Sequence, residues 1–164
     1  LLQEAIDFTE YFRCYCLDRR DVRIMQYDPR NPHHLRYVKD PKPIESKLIK
    51  TIEEDVLKIN NALGYDFNTV EFAVRDGIPY AIDFCNPAPD ADINSVGQDN
   101  FEWVVDHASK MAVDRARLQK PGADNLTWGT FVRDSVSGSK VSKAKATLAV
   151  AAKAVKKTGS KKKS

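Results

Sequence analysis

No stretch of this chain is apolar for the ~20 residues that a membrane-spanning helix needs, and no basic-then-apolar signal segment opens it. A cytoplasmic protein with no membrane partner is therefore expected. The three cysteines, Cys14, Cys16 and Cys85, make neither a CxxC pair nor a zinc spacing. That leaves no basis for a disulfide framework or a zinc module and points to a reduced interior. Cys14 and Cys16 alternate along a strand-like segment, so both face one side, where a free thiol behaves as a small buried hydrophobe. No internal repeat stands out, and no Ser or Cys sits in a recognisable nucleophile dyad. Acid is missing altogether after Asp134, where nine lysines follow.

That last absence changes the meaning of the formal net charge of +3. With the nine tail lysines set aside, 17 basic residues face 23 acidic ones, a net of −6 for residues 1–134. The chain thus divides into an acidic body, 1–134, and a Lys/Ala-rich tail, 135–164, which need separate explanations. The tail lacks aromatics and has too little apolar bulk to offset the entropy of ordering, so disorder is expected from about Val136. Over the whole chain, 42% hydrophobic and 30% charged residues suit one soluble domain with a core. The chain opens on Leu1, not Met, directly in folded-looking sequence, and reads as the back part of a longer protein.

Glu10–Leu17 (EYFRCYCL) alternates and is rich in aromatics, which predicts a strand. The polar turn 18–21 and Val22–Tyr27 complete a first hairpin, and a proline loop carrying His33 and His34 follows. Adjacent loop histidines point apart and are expected to be solvated. A helix is predicted from Ile44 or Glu45 to Leu63, with Leu48, Ile49, Ile52, Val56, Ile59 and Leu63 on one stripe. Pro43 precedes it and Gly64 follows. Thr69–Val74 and Ile78–Phe84 predict a second hairpin. A second helix is expected from about Asn100 to Leu118, capped by Asp99 with Glu102 and buried through Phe101, Val104, Val105, Ala108, Met111 and Ala112. Trp128 and Phe131 suggest a short docked segment. The fold class expected is α+β, an antiparallel sheet of two hairpins with packed helices.

Chemistry concentrates in VEFAVRDGIPYAIDFCNPAPDAD, residues 70–92. Glu71 and Asp83 sit in otherwise apolar strands, where a carboxylate must find a cation, a donor or water. Paired positions in an antiparallel hairpin have a constant sum, so turn length decides whether the two meet. A two-residue Asp76-Gly77 turn pairs Arg75 with Ile78 and puts the acids on opposite faces. A three-residue Arg75-Asp76-Gly77 turn pairs Val74 with Ile78 and makes them diagonal neighbours on one face. The sequence suits both; the longer turn is the one expected, because it alone makes a site. Two carboxylates on one face repel unless a cation lies between them, and Mg²⁺ fits because it shares carboxylate and phosphate oxygens. Asn86 offers a third, neutral oxygen, and Pro87 holds its backbone extended.

The stretch EFAVRDGIPYAIDFCNPAPDAD resembles the metal-binding hairpin of the ATP-grasp superfamily, in its C-terminal half, of the glutathione synthetase-like or carboxylate–amine ligase-like kind. The upstream FRCYCLDRRDVRIMQYDP is similar to the family's preceding strands, and the resemblance runs from about Ile6 to Ala112. It implies that Glu71, Asp83 and Asn86 bind metal and that Arg13 faces the phosphates, serving both cofactor binding and catalysis. The cofactors implied are ATP and Mg²⁺. The activity implied is a ligase that activates a small-molecule carboxylate as an acyl phosphate for attack by an amine or similar nucleophile. Asp83 and Asn86 are three apart, whereas the family spaces its acid and Asn two apart. A bulge at Phe84–Cys85 would return Asn86 to the right face. The family's upstream nucleotide-binding half matches nothing here, so this chain alone is expected to be inactive.

Other readings stay open on residues alone. Glu71 and Asp83 could be a solvated sheet face paired with Arg13 or Arg23. Asp90 and Asp92 could extend the acidic site or solubilise a loop. The chain could be a non-catalytic ATP-grasp relative acting as a nucleotide-binding scaffold or regulator. Its tail could touch nucleic acid weakly and without sequence preference through counterion release.

Overall fold

The computed structural model describes residues 2–122, which fall almost wholly in the first of two units, Leu1–Pro121. The expected boundary at 134, the Trp128–Phe131 segment and the tail lie outside the described residues. Strands β1 (Glu10–Leu17) and β2 (Asp21–Gln26) form the first hairpin. Helix α1 (Ser46–Leu63) follows, then the second hairpin of β3 (Phe67–Arg75) and β4 (Ile78–Asn86). Two helices come last: α2 (Ile93–Val96), which the sequence did not suggest, and α3 (Gln98–Leu118), expected from about Asn100.

The two hairpins join edge to edge in one four-stranded antiparallel sheet of order β2-β1-β3-β4. β1 and β3 are therefore central, and both of their faces are covered. This explains why β1 is buried along almost its whole length, not only at alternate residues. On one face Phe12, Cys14, Cys16, Val70, Phe72 and Val74 pack against Leu48, Ile52 and Val56 of α1. Burying such side chains contributes roughly 1.5–3 kcal/mol each. On the other face Tyr11, Tyr15, Leu17 and Ala73 pack with Tyr27 and Tyr37 and with Val96 and Val104 of α2 and α3.

α1 ends as its sequence punctuation predicts, with Gly64 left-handed at φ 76° and its N–H returned to Asn60. Its buried positions are Leu48, Ile52, Val56 and Asn60, with Ile49 and Ile59 half-buried. α3 differs from expectation. It starts at Gln98 with Gly97 at its cap, so Asp99 lies inside the first turn and forms no capping box with Glu102. Glu102 instead accepts a hydrogen bond from the Gln98 amide. Only Val104 of the expected stripe is fully buried, and Val105 is exposed, because α3 docks through Trp103 and Val104. Trp103 stacks on Tyr15 at 6.5 Å and on His107 at 4.1 Å.

The β3–β4 turn is shorter than expected. Arg75 pairs with Ile78, leaving a two-residue Asp76-Gly77 turn with φ of 55° and 72°. Positive φ at both positions is the hairpin geometry whose twist matches the flanking strands, and Asp-Gly is among its preferred sequences. By parity alone this turn would separate Glu71 from Asp83. It does not, because β4 is bulged. Phe72 pairs with Ala81, yet Glu71 pairs with Asp83, so Ile82 is an extra residue on β4. The next pair is Thr69 with Asn86, so β4 carries a second extra residue within Phe84–Cys85.

Candidate functional site

The two bulges align two neighbouring cross-strand rows. Arg13 pairs with Glu71 on β1 and β3, and Glu71 pairs with Asp83 on β4, so a cation and two acids lie side by side. The neighbouring row is Tyr15–Thr69–Asn86. All four residues singled out from the sequence thus lie in two adjacent rows, Asn86 among them. The Phe84–Cys85 bulge anticipated from the odd spacing is present; the bulge at Ile82 was not anticipated.

Arg13 is held in the middle of the sheet at 8% exposure. Its guanidinium lies 5.7 Å from the Tyr27 ring centre and 5.9 Å from that of Tyr37, an aromatic sleeve for a cation. Its Nε is 3.6 Å from Glu71 Oε1, an ion pair too long for a hydrogen bond, and is buried without a hydrogen-bond partner. Burial opposes the Arg13 charge, but Tyr37, Glu71, Tyr27 and Tyr15 outweigh it and hold the pKa above the ordinary guanidinium value. Arg13 is therefore a permanent cation.

Glu71 is anchored from β1. The Tyr11 hydroxyl donates to Glu71 Oε2 at 2.7 Å. Burial, then that hydrogen bond and the charges of Glu71, Tyr27 and Asp83, push the Tyr11 pKa far above the usual phenol value. Tyr11 thus remains a donor at any working pH. Asp83 is exposed on the edge strand. The solvated-face alternative is met in part, since Glu71 pairs with Arg13, while Arg23 turns away and donates to Asn100 at 2.9 Å.

Asp90 and Asp92 serve the loop. Asp92 caps α2 by accepting from the Asn94 N–H at 2.8 Å, and Asp90 accepts from the Asp92 N–H at 2.9 Å. The Asp90 carbonyl takes the Tyr15 hydroxyl, tying the loop to the sheet face beside Arg13. His33 and His34 sit exposed in a single 3₁₀ turn.

Tyr27, Tyr37 and Asn68 were missed from the sequence. The two tyrosines gave no signal, since Tyr37 lies in a proline-flanked loop. It reaches the site through an isolated bridge with Tyr27. Asn68 gave none either, since the expected strand began at Thr69; the structure extends β3 to Phe67 and buries Asn68 fully on the α1 side.

As ligands, Glu71, Asp83 and, from the neighbouring row, Asn86 offer oxygen donors only, two carboxylates and an amide, which suits a hard cation. Among the described residues no group of three or more His, Cys, Asp or Glu side chains could hold a metal. The oxygen set here has only two acids and needs further oxygens from elsewhere.

No family model and no curated protein matches the chain. Its structure is similar to part of an ATP-grasp enzyme, D-alanine–D-alanine ligase from Bacillus anthracis complexed with ATP. The identity is 20% and the TM-score 0.48, over 63% of this chain and 35% of that one. A second structure of that ligase matches at 20% identity and TM-score 0.49, over 67% and 39%. The chain thus spans little more than a third of the ligase. Both TM-scores fall below 0.5. No helix among the described residues is long and apolar enough to cross a membrane.

Proposed function

We propose that this chain carries the metal- and phosphate-facing hairpin of an ATP- and Mg²⁺-dependent ligase of the ATP-grasp type, acting on a small-molecule carboxylate. The observation that carries the reading is the row Arg13–Glu71–Asp83. Two acids made direct cross-strand neighbours cost stability unless a cation is shared. A bulge at Ile82 that brings them together is therefore hard to explain as plain sheet.

Glu71 keeps lone pairs free beyond its Tyr11 hydrogen bond, and Asp83 reaches solvent, so both can bind a cation. Bound Mg²⁺ would neutralise charge on a transferring phosphoryl group. Tyr11 orients the Glu71 carboxylate. Arg13, prepaid in its aromatic sleeve, presents fixed positive charge to an anion without reorganising. The set is too small to hold Mg²⁺ tightly alone, because that ion needs about six oxygens and dehydrates reluctantly. Metal and polyphosphate should bind together.

Titration of the chain, and of the longer protein if it belongs to one, with ATP at fixed and varied Mg²⁺ tests this. Asp83→Asn and Glu71→Gln should each weaken Mg²⁺-dependent ATP binding at least tenfold while leaving the fold intact. Unchanged binding in both variants overturns the reading. A nucleotide-binding scaffold without turnover is the second reading, favoured by the pairing of Glu71 with Arg13 and Tyr11, which satisfies that carboxylate without metal. Binding that depends on Arg13 but not on Asp83 would select it.

A further inference from the structure

We infer that Asn68, a residue outside the row, is the positioning residue that delivers Asn86 to the metal face; this rests on the proposed function for its meaning, though not for its geometry. Between the pairs Glu71–Asp83 and Thr69–Asn86, β4 uses three steps where β3 uses two. Phe84 and Cys85 together stand opposite Val70. Such a bulge leaves backbone groups without ladder partners, and buried ones must be satisfied otherwise. The Asn68 side chain does so at both ends. Its Nδ2 donates to the Phe84 carbonyl at 2.9 Å, and its Oδ1 accepts from the Asn86 N–H at 2.8 Å.

This role has a narrow chemical requirement. The side chain must donate and accept at once, from a short stem, while fully buried. Asp can accept from Asn86 but has no donor for Phe84 and sets a charge against its carbonyl. Leu matches the size and supplies neither bond. Ser is too short to span both groups.

The consequence for the site follows from register. If β4 continued from Asp83 without the second bulge, Asn86 would oppose residue 68 rather than Thr69. A one-residue slip moves a side chain to the other face of a sheet, here the face packed on α1. The Asn68 clamp opposes that slip. Asn68 thus acts on the metal only through Asn86, as an outer-shell partner does, and such partners typically change metal affinity about 10–100-fold.

The test uses Asn68→Asp, with Asn68→Ser as a second variant should the buried charge prevent folding. In wild type, an NMR contact between Thr69 and Asn86 across the strands and a slowly exchanging Asn86 amide should be seen. In the variant, the contact should be lost and Asn86 exchange should quicken at least tenfold, with the Arg75–Ile78 end of the hairpin unchanged. Half-saturating Mg²⁺ for ATP binding should rise about tenfold, Mg²⁺-free ATP binding should not move, and Asn86→Ala should add little in the double variant. A purely structural role would lower the melting temperature and leave the Mg²⁺ dependence of the folded protein as it was, which overturns the inference. So does a retained Thr69–Asn86 contact. If wild type binds no Mg²⁺-ATP, the proposed function fails instead, and the register contact still decides what Asn68 does.

Discussion

At the scale of single residues, the site is a buried cation in ion-pair contact with an acid, while a second acid faces water. Tyr11 ties the arrangement together. Tyr11→Phe removes the 2.7 Å hydrogen bond to a largely buried carboxylate, and the fold should lose about 1–3 kcal/mol in urea unfolding. The cysteines give a separate prediction, in pH. Burial, with the nearby charge of Asp21, pushes the Cys16 thiol up to about 12, and burial also raises Cys14. An unfolded thiol loses its proton near ~8.5, while the folded one keeps it. The stabilisation is then fully present below that pH and is lost as pH rises toward about 12. Chemical unfolding at pH 7.5, 9 and 10.5 should show stability falling in that order. Thiol alkylation at pH 7.5 should label Cys85, which is exposed, and spare Cys14 and Cys16 until the chain unfolds. Burial of the two β1 thiols could be read from their alternation with polar and aromatic neighbours. The sleeve of Tyr27 and Tyr37 around Arg13 could not, because it joins a strand end to a loop.

At the scale of elements, the places of the strands and of α1 were close to those expected, since apolar content and helical periodicity are local properties of the chain. β1 was found at Glu10–Leu17 and α1 one or two residues inside its expected start. The turn at Asp76-Gly77 and the start of α3 were not recovered, as several local solutions compete there. Asp-Gly suits a two-residue turn and a three-residue turn alike. The observed turn can be checked by Gly77→Ala. No atom lies within 4 Å of the added Cβ, so the cost is backbone strain alone at φ +72°. It should be about 1–2 kcal/mol, measured by denaturant midpoint, with Asp76→Asn within about 0.5 kcal/mol of wild type because Asn tolerates left-handed backbone.

At the scale of the whole molecule, β1 and β3 meet at the centre of the sheet and one helix layer covers each face. The layer bearing α3 is also held by charge. Arg115 reaches Asp18 at 2.6 Å and Asp66 at 3.0 Å, and Arg19 adds a second contact to Asp66 at 2.8 Å. These groups are partly exposed, so Arg115→Ala should cost less than about 1 kcal/mol. The loss should shrink further in 1 M salt, where screening shortens the reach of charge to about 3 Å; melting at low and high salt checks both points. By itself the sequence determined the α+β class, the two hairpins and α1, and it singled out Glu71 and Asp83 as candidate residues. Those follow from local periodicity and from carboxylates in apolar strands. Only the tertiary structure decided that the hairpins join through β1 and β3, that the turn is short, and that two bulges bring Glu71, Asp83 and Asn86 into neighbouring rows with Arg13. Strand pairing is non-local, and a one-residue change of register exchanges the faces of a strand without altering its sequence pattern.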